Sequence, residues 1–468
     1  MNRRNFLASA GALFAGRSLH SLLSGGAQAF AQVPGEKADH HIRIEPSTIT
    51  IGPGVEIKTL TYDGQVPGPL LRLREGVPVT IDVTNSTTEN DIVHWHGLAI
   101  DSLNDGAMEE GSPMIAAGET HRYSFTPRPA GTRWYHTHTP AYENLSIGTY
   151  TGQFGFLLVE GKQQPGDYDQ EINLAIHHWE PSFVPMVETM REESANVPLT
   201  TGSDVGYKYA TVNAHMLGAG EPIRVKQGQR VLIRLLNASA TENVVLALPG
   251  HAFKLIAMDG NPVPNPKTVE VLSLAVAERV DAIVEMNAPG VWVLGSTLEK
   301  ARQMGLGVVV EYAGKTGEPV WKDPSSTEWD YTQFANTAEA PQPDETFVLT
   351  FRDIGPVHGS KFDTWTINNQ SWPKIDPLTV QQGKRYRMVF RNGSGDQHPI
   401  HLHRHTFEVT RIGKDNKQIR GLMKDVINLM PLETVEVDFI ANNPGNTLLH
   451  CHQQLHMDFG FMQLIKYT

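Results

Sequence analysis

The chain carries a single cysteine, Cys451, in 468 residues, so no internal disulfide can staple it. It is short of positive charge. Lys and Arg total 39 against 51 Asp and Glu, a net of −12, which argues against nucleic acid as a partner. Beyond the N-terminus it has no apolar run long enough to cross a bilayer, so stable membrane insertion is not expected. What it has in quantity is glycine (42) and proline (30), the composition of many short strands joined by turns. A chain of this length is expected to hold two to four domains.

The first 31 residues read as a processing segment. Asn2-Arg3-Arg4-Asn5-Phe6-Leu7 precedes an apolar run to Ala15, and Ala27-Gln28-Ala29 offers a small-residue cleavage site after Ala29 or Ala31. The paired arginines point to the twin-arginine export machinery, and so to a periplasmic or otherwise exported protein. Loss of residues 1–31 removes three arginines and no acid, which moves the net charge to about −15.

One pattern is written three times. Leu71–Asn85, Ile223–Asn237 and Leu378–Asn392 each place a glycine nine residues before an asparagine, with apolar and polar residues alternating between them. The copies lie 152 and 155 residues apart, the size of a domain rather than of a solenoid turn. An all-β fold of three β-sandwich domains follows, at 33–162, 163–313 and 341–468, with a Pro-rich polar linker at 314–340.

The same offsets carry histidines. Nine and eleven residues after Asn85 stand His94 and His96, and after Asn392 stand His401 and His403. Five and seven residues after Gly131 stand His136 and His138, and after Gly445 stand His450 and His452. The middle copy has Leu246, Leu248, Gly295 and Thr297 there. Four matched pairs suggest a metal cluster between the first and third domains, with the second as a spacer. Cys451 lies between His450 and His452. On a strand over 448–452 the two imidazoles point one way and the thiol the other. His398 and His456 complete a thiolate set that the first domain cannot build, having Asp91 and Thr137 at the matching places. Thiolate with imidazoles, beside eight further imidazoles, suits copper better than zinc. The remaining ten histidines, among them His20 and His358, read as surface, capping or supporting residues.

These motifs, His94-Trp-His96-Gly97, His136-Thr-His138, His398-x2-His401-x-His403 and His450-Cys-His452-x3-His456, resemble those of the multicopper oxidases, in order and spacing, across essentially the whole mature chain. The resemblance implies cupredoxin-like Greek-key sandwiches and four copper ions. One is a type 1 copper at His398, Cys451 and His456. A type 2 copper falls to His94 and His401, and a type 3 pair to His96, His136, His138, His403, His450 and His452. It implies that a small reducing substrate delivers single electrons, that they pass through Cys451 to His450 and His452, and that four of them reduce O2 to water. By the same resemblance Asp105 handles protons.

Three departures stand out. The family's axial position, ten after the cysteine, holds Phe461, with Met462 next; Phe461 there predicts a three-coordinate type 1 site of raised potential. Arg404 stands where relatives often have glycine, for no reason the sequence offers. Met457 replaces the Glu that some bacterial relatives place after the last type 1 histidine. Substrates are expected to be phenols and aromatic amines. The alternatives are a metallo-oxidase of Cu(I), Fe(II) or Mn(II) and, further off, a non-enzymatic exported protein on the same scaffold. The 14 scattered methionines form no dense run of the kind that takes Cu(I). Loops around His398, 413–420 and His456 are expected to edge the type 1 site.

Overall fold

A computed structural model describes residues 37–162, 166–185, 202–356, 360–413 and 415–468. Residues 1–31, where an export signal is expected, and His20 and His358 lie outside them.

Among the described residues strands far outweigh helices, and they form three pairs of sheets and one two-stranded ribbon, Ser182–Pro185 with Ser203–Gly206. Each written repeat does the same work. Val79–Asn85 lies parallel to His40–Gly52, Arg230–Asn237 to Gln170–Trp179, and Arg385–Asn392 to Glu345–Pro356. The glycine that opens each copy, Gly76, Gly228 or Gly383, turns with φ of 75°, 80° or 86°, a conformation that side chains resist. The closing asparagine braces the loop that follows. Asn85, Asn237 and Asn392 each donate to two backbone carbonyls, and each accepts from the amide two residues on. A buried amide with all these partners satisfies backbone groups that the loop would otherwise strand.

The first pair of sheets, spanning His40 to Glu160, encloses its own core around Ile44, Ile81, Leu71 and Leu157. The second (Gln170 to Tyr312) and third (Glu345 to Tyr467) share one continuous apolar cluster. The segment 314–340 is not a free tether. Phe334 and Ala335 are buried in that cluster, and Asn336 bridges to Arg420. The neighbouring turn at 413–420 therefore lies by Asp330 and Glu339.

Candidate metal centres

Two edge-to-edge strand pairs set out the histidines. His94 lies opposite His136 where Val93–His94 meets Gly131–Thr137, and His401 lies opposite His450 where His398–Leu402 meets Thr447–Cys451. The second strand ends at Cys451, one residue before the expected limit, and His456 follows on the short helix Gln454–Asp458. The eight rings come together. His94 stacks on His403 with centroids 4.0 Å apart, and His96 on His401 at 3.8 Å. Ligand atoms of His96, His136 and His452 lie within 4.8 Å of one another, as do those of His138, His403 and His450, and of His94, His96 and His401. Exchange 94 with 401, 96 with 403, 136 with 450 and 138 with 452, and the first trio becomes the second. The repeat seen in the sequence is a pseudo-two-fold axis through the cluster.

The outer nitrogens set the tautomers. His94 Nδ1 donates to the Asp105 carbonyl and His401 Nδ1 to the Asp425 carbonyl, both at 2.8 Å. His136 and His450 donate to the carbonyls of Thr137 and Cys451, again at 2.8 Å. His403 Nδ1 reaches Asp105 Oδ2 at 2.8 Å, and His96 Nε2 reaches Asp425 Oδ1 at 3.1 Å. Lone pairs on the opposite nitrogens are thereby turned inward. The inner nitrogens of His94, His138, His401 and His452, though buried, have no hydrogen-bond partner among the described residues. Orphaned buried acceptors converging on one place are the donor set a metal cluster requires. Burial first, and neighbouring imidazoles second, hold the other rings of the cluster well below the usual histidine range, His138 at about 3.

The thiolate set is on the other side of the same strand. Cys451 Sγ stands 3.8 Å from His398 Nδ1 and 3.6 Å from His456 Nδ1, with those nitrogens 3.2 Å apart. Ser394 Oγ takes the far nitrogen of His398 at 2.7 Å. Burial pushes the Cys451 thiol up, so only a bound cation would make it a thiolate near neutrality. The Phe461 ring packs 5.0 Å from His398 and Trp365 4.1 Å from His456, while Met462 turns away to Leu448, Met457 and Ala107. In the first pair of sheets, Thr137 and Asp91 occupy the matching places and simply hydrogen-bond at 2.7 Å.

Asp105 is fully buried beside His403 and His94. It ends a short helix, Ser102–Asp105, that Asp101 caps. Gly106 follows with φ 92°, and a Cβ there would strike the Val93 carbonyl at 1.8 Å. Three residues escaped the sequence reading. Glu110 is buried against Asp105 and His403, and it accepts from the Leu448 amide at 2.7 Å. Burial and then the Asp105 carboxylate raise it well above the usual carboxylate range. Asp425 is the pseudo-symmetric mate of Asp105, but it follows His401 by 24 residues where Asp105 follows His94 by 11. The third pair of sheets inserts the hairpin of Phe407–Ile412 and Lys417–Lys424. The third is Arg279, on the pair of sheets expected to be a mere spacer, which grips Asp425 through both guanidinium ends, at 2.7 and 2.6 Å. Arg404 also has its reason. Its φ is +59°, like the positive φ of Gly97 at the matching place after His96. Buried, it donates to the Ile100, Asn443, Pro444 and Asn446 carbonyls and to Thr447 Oγ1, tying first and third sheets together.

A narrow pocket reaches His456. Its walls are Ser203, Asp204, Phe362, Asp363, Trp365 and Leu455, and no described residue of 413–420 belongs to it, contrary to expectation. Burial, then the Asp353 carboxylate, raises Asp363 to about 6, and its Oδ1 has no partner among the described residues.

These imidazoles make the copper-free protein sensitive to acid. His138 and His456 titrate near 3 when folded, and His177 near 4, against about 6.5 unfolded. The unfolded chain binds more protons between those values, so this stability is whole above about pH 6.5 and is lost as pH falls toward 3. Asp458 and Glu242, raised to about 7, act oppositely but are outnumbered. Urea titrations of copper-free protein should show the unfolding midpoint dropping steadily from pH 7 to pH 4; a flat profile would contradict neutral buried rings.

Sheet pairs of this kind, joined by a buried set of one cysteine with two histidines and by an eight-imidazole cluster, define a cupredoxin-fold copper protein. Comparison with known proteins narrows the class. Multicopper oxidase family models match residues 43–164, 132–310 and 352–467. The chain is 29% identical to the multicopper oxidase MmcO of Mycobacterium tuberculosis, over 90% of this chain and 86% of that protein. It is 26% identical to Laccase-2 of Botryotinia fuckeliana, over 92% and 82%. The crystal structure of Fet3p, a multicopper oxidase that functions in iron import, shares the fold with a TM-score of 0.76 at 18% identity, over 92% and 90%. The chain belongs to the multicopper oxidase family. It is a copper-dependent oxidoreductase that passes electrons to O2.

Proposed function

We propose that the protein holds four copper ions and oxidises phenols or aromatic amines, one electron at a time, with four electrons reducing O2 to water. Type 1 copper is assigned to His398, Cys451 and His456, with Phe461 in place of an axial ligand. Type 2 falls to His94 and His401. The type 3 pair falls to His96, His136 and His452 on one side and His138, His403 and His450 on the other. The donor chemistry supports this: unpartnered inner nitrogens, and a thiol with two imidazole nitrogens within 3.8 Å. Bound copper would supply the one-electron steps and the activation of O2. The chain supplies the rest. Cys451 and its backbone carbonyl, which takes the His450 Nδ1 proton at 2.8 Å, link the two sites through few bonds. Asp105 and Glu110 place two carboxyls beside His403, where protons can be held. Enclosing the cluster keeps partly reduced oxygen from solvent.

The observation that carries the substrate class is the pocket at His456. Trp365 and Phe362 beside His456 give an aromatic edge against which a flat ring can lie, at a recess of only about 10 Å³. No methionine lines it among the described residues, which disfavours Cu(I). Two carboxyls, Asp204 and Asp363, line the same recess, which makes Fe(II) or Mn(II) the second reading. Oxygen uptake by copper-loaded enzyme should be compared with a dimethoxyphenol, a phenylenediamine, Cu(I) and Fe(II). Uptake with metal ions alone would overturn the assignment.

Further parts of this proposal rest on sequence. The domains are taken as 33–162, 163–313 and 341–468, supported by sheet pairs that fall within those bounds. The protein is exported to the periplasm or beyond by the twin-arginine route, supported by Arg3-Arg4 and the small-residue site. A mature chain starting after Ala29 or Ala31 is the direct check.

A further inference from the structure

The two acids at the cluster are placed alike and held differently. The Trp95 amide donates to the Asp105 carbonyl and the Leu402 amide to the Asp425 carbonyl, each at 3.1 Å. The same carbonyls take His94 and His401, and the same carboxylates reach across the axis to His403 and His96. There the likeness ends. Asp105 faces Glu110, and its Oδ1 has no hydrogen-bond partner among the described residues. Asp425 has both oxygens taken by Arg279, with Arg133 3.4 Å from Oδ2.

Arg279 comes from the middle pair of sheets, which holds none of the eight rings and no thiolate ligand. It is itself immobilised. Its guanidinium also donates to the carbonyls of Ala277 (3.0 Å), Asp259 (3.2 Å) and Thr132 (3.3 Å). The Asp259 carboxylate accepts from Lys424 Nζ at 2.9 Å and from the amides of Asp425 and Val426 at 3.3 and 3.2 Å. Side chain and backbone of Asp425 are thus both gripped from the middle sheets. Since Asp425 presents a carboxylate oxygen to His96 and a carbonyl to His401, whatever aims Asp425 also aims two rings that stack on each other.

We propose that Arg279 is a positioning residue for the oxygen-reducing cluster: its two-pronged grip on Asp425 fixes the tautomer and direction of His96 and His401. The middle sheets are then part of the cluster's support rather than a spacer. Orienting partners one step removed from a metal typically govern affinity or activity about 10–100-fold. A planar guanidinium can hold both carboxylate oxygens, which an ammonium cannot.

The assignment rests on the reading of the eight rings as a copper cluster, and its test keeps the two apart. Holoenzymes of wild type, Arg279→Lys and Arg279→Met would be compared by copper content, red-region absorption, type 2 electron paramagnetic resonance, and reoxidation by O2 after anaerobic reduction. Arg279→Lys retains a buried cation, so it carries the test if Arg279→Met fails to fold. Expected for Arg279→Lys are an unchanged absorption band and unchanged reduction by phenol, an altered type 2 hyperfine pattern, and reoxidation slowed about 10–100-fold. A wild-type hyperfine pattern and wild-type reoxidation in Arg279→Lys would overturn the role. Wild-type holoenzyme without a type 2 signal would overturn the cluster reading, and this assignment with it.

Discussion

Cys451→Ser is expected to abolish the intense red-region absorption and to bring substrate oxidation down to the background of copper-free protein, while leaving the fold in place. Cys451, the single cysteine of the chain, is the thiol that lies against the His398–His456 pair, and a serine hydroxyl does not replace a thiolate for copper. It is also the covalent join between the two sites. His450 and His452 flank it on the cluster side, and its carbonyl takes the His450 Nδ1 proton. The structural cost is small by comparison. The substitution puts a hydroxyl among Phe461, Ile400 and Leu449, a penalty of about 1–3 kcal/mol if it finds no partner. Circular dichroism and the type 2 resonance should therefore survive when colour and turnover do not. An unfolded variant would mean that the thiol was core packing; a coloured, active one would sink the type 1 assignment.

The second large effect is expected on the oxygen side. Asp105→Asn keeps the shape of a fully buried side chain whose Oδ2 lies 2.8 Å from His403 Nδ1 and 3.2 Å from His94 Nδ1, but it can no longer take up and release a proton. Reduction of O2 to water consumes protons at an enclosed site. Glu110, its carboxyl raised by burial and by Asp105, is the adjacent proton-holding group. Losing a positioned proton-transfer group typically costs about 10²–10⁴-fold. Stopped-flow reoxidation of the anaerobically reduced variant should slow by that order, with reduction of the coloured site by phenol unchanged. Equal reoxidation rates in variant and wild type would remove Asp105 from proton handling.

The contrast between these residues and Arg279 marks where the sequence stops being legible. His94, His96, His401 and His403 keep constant offsets from Asn85 and Asn392 because each unit folds the same strand onto the same asparagine brace. Cys451 could be told from its neighbours because a strand alternates its faces. Asp425 kept no such offset, since an inserted hairpin separates it from His401 while leaving it in the same place in space. Glu110 ends a one-turn 3₁₀ helix, Met108–Glu110, too short to show a period, and Arg404 looks anomalous until its positive φ and its five acceptors are seen together.

The sequence by itself picked out the side chains that come together, the three-fold repetition and the split between a thiol face and an imidazole face. These are properties of spacing along one strand or between copies of one unit, and spacing survives in a linear text. Only the tertiary structure decided which acids and which arginine brace the cluster, that Phe461 rather than Met462 faces His398, and that Asp363 closes the pocket at His456. Those pairings join residues far apart in the chain, such as Arg279 and Asp425. They arise where separate sheets meet and buried charges must find partners, a condition that no local pattern of residues encodes.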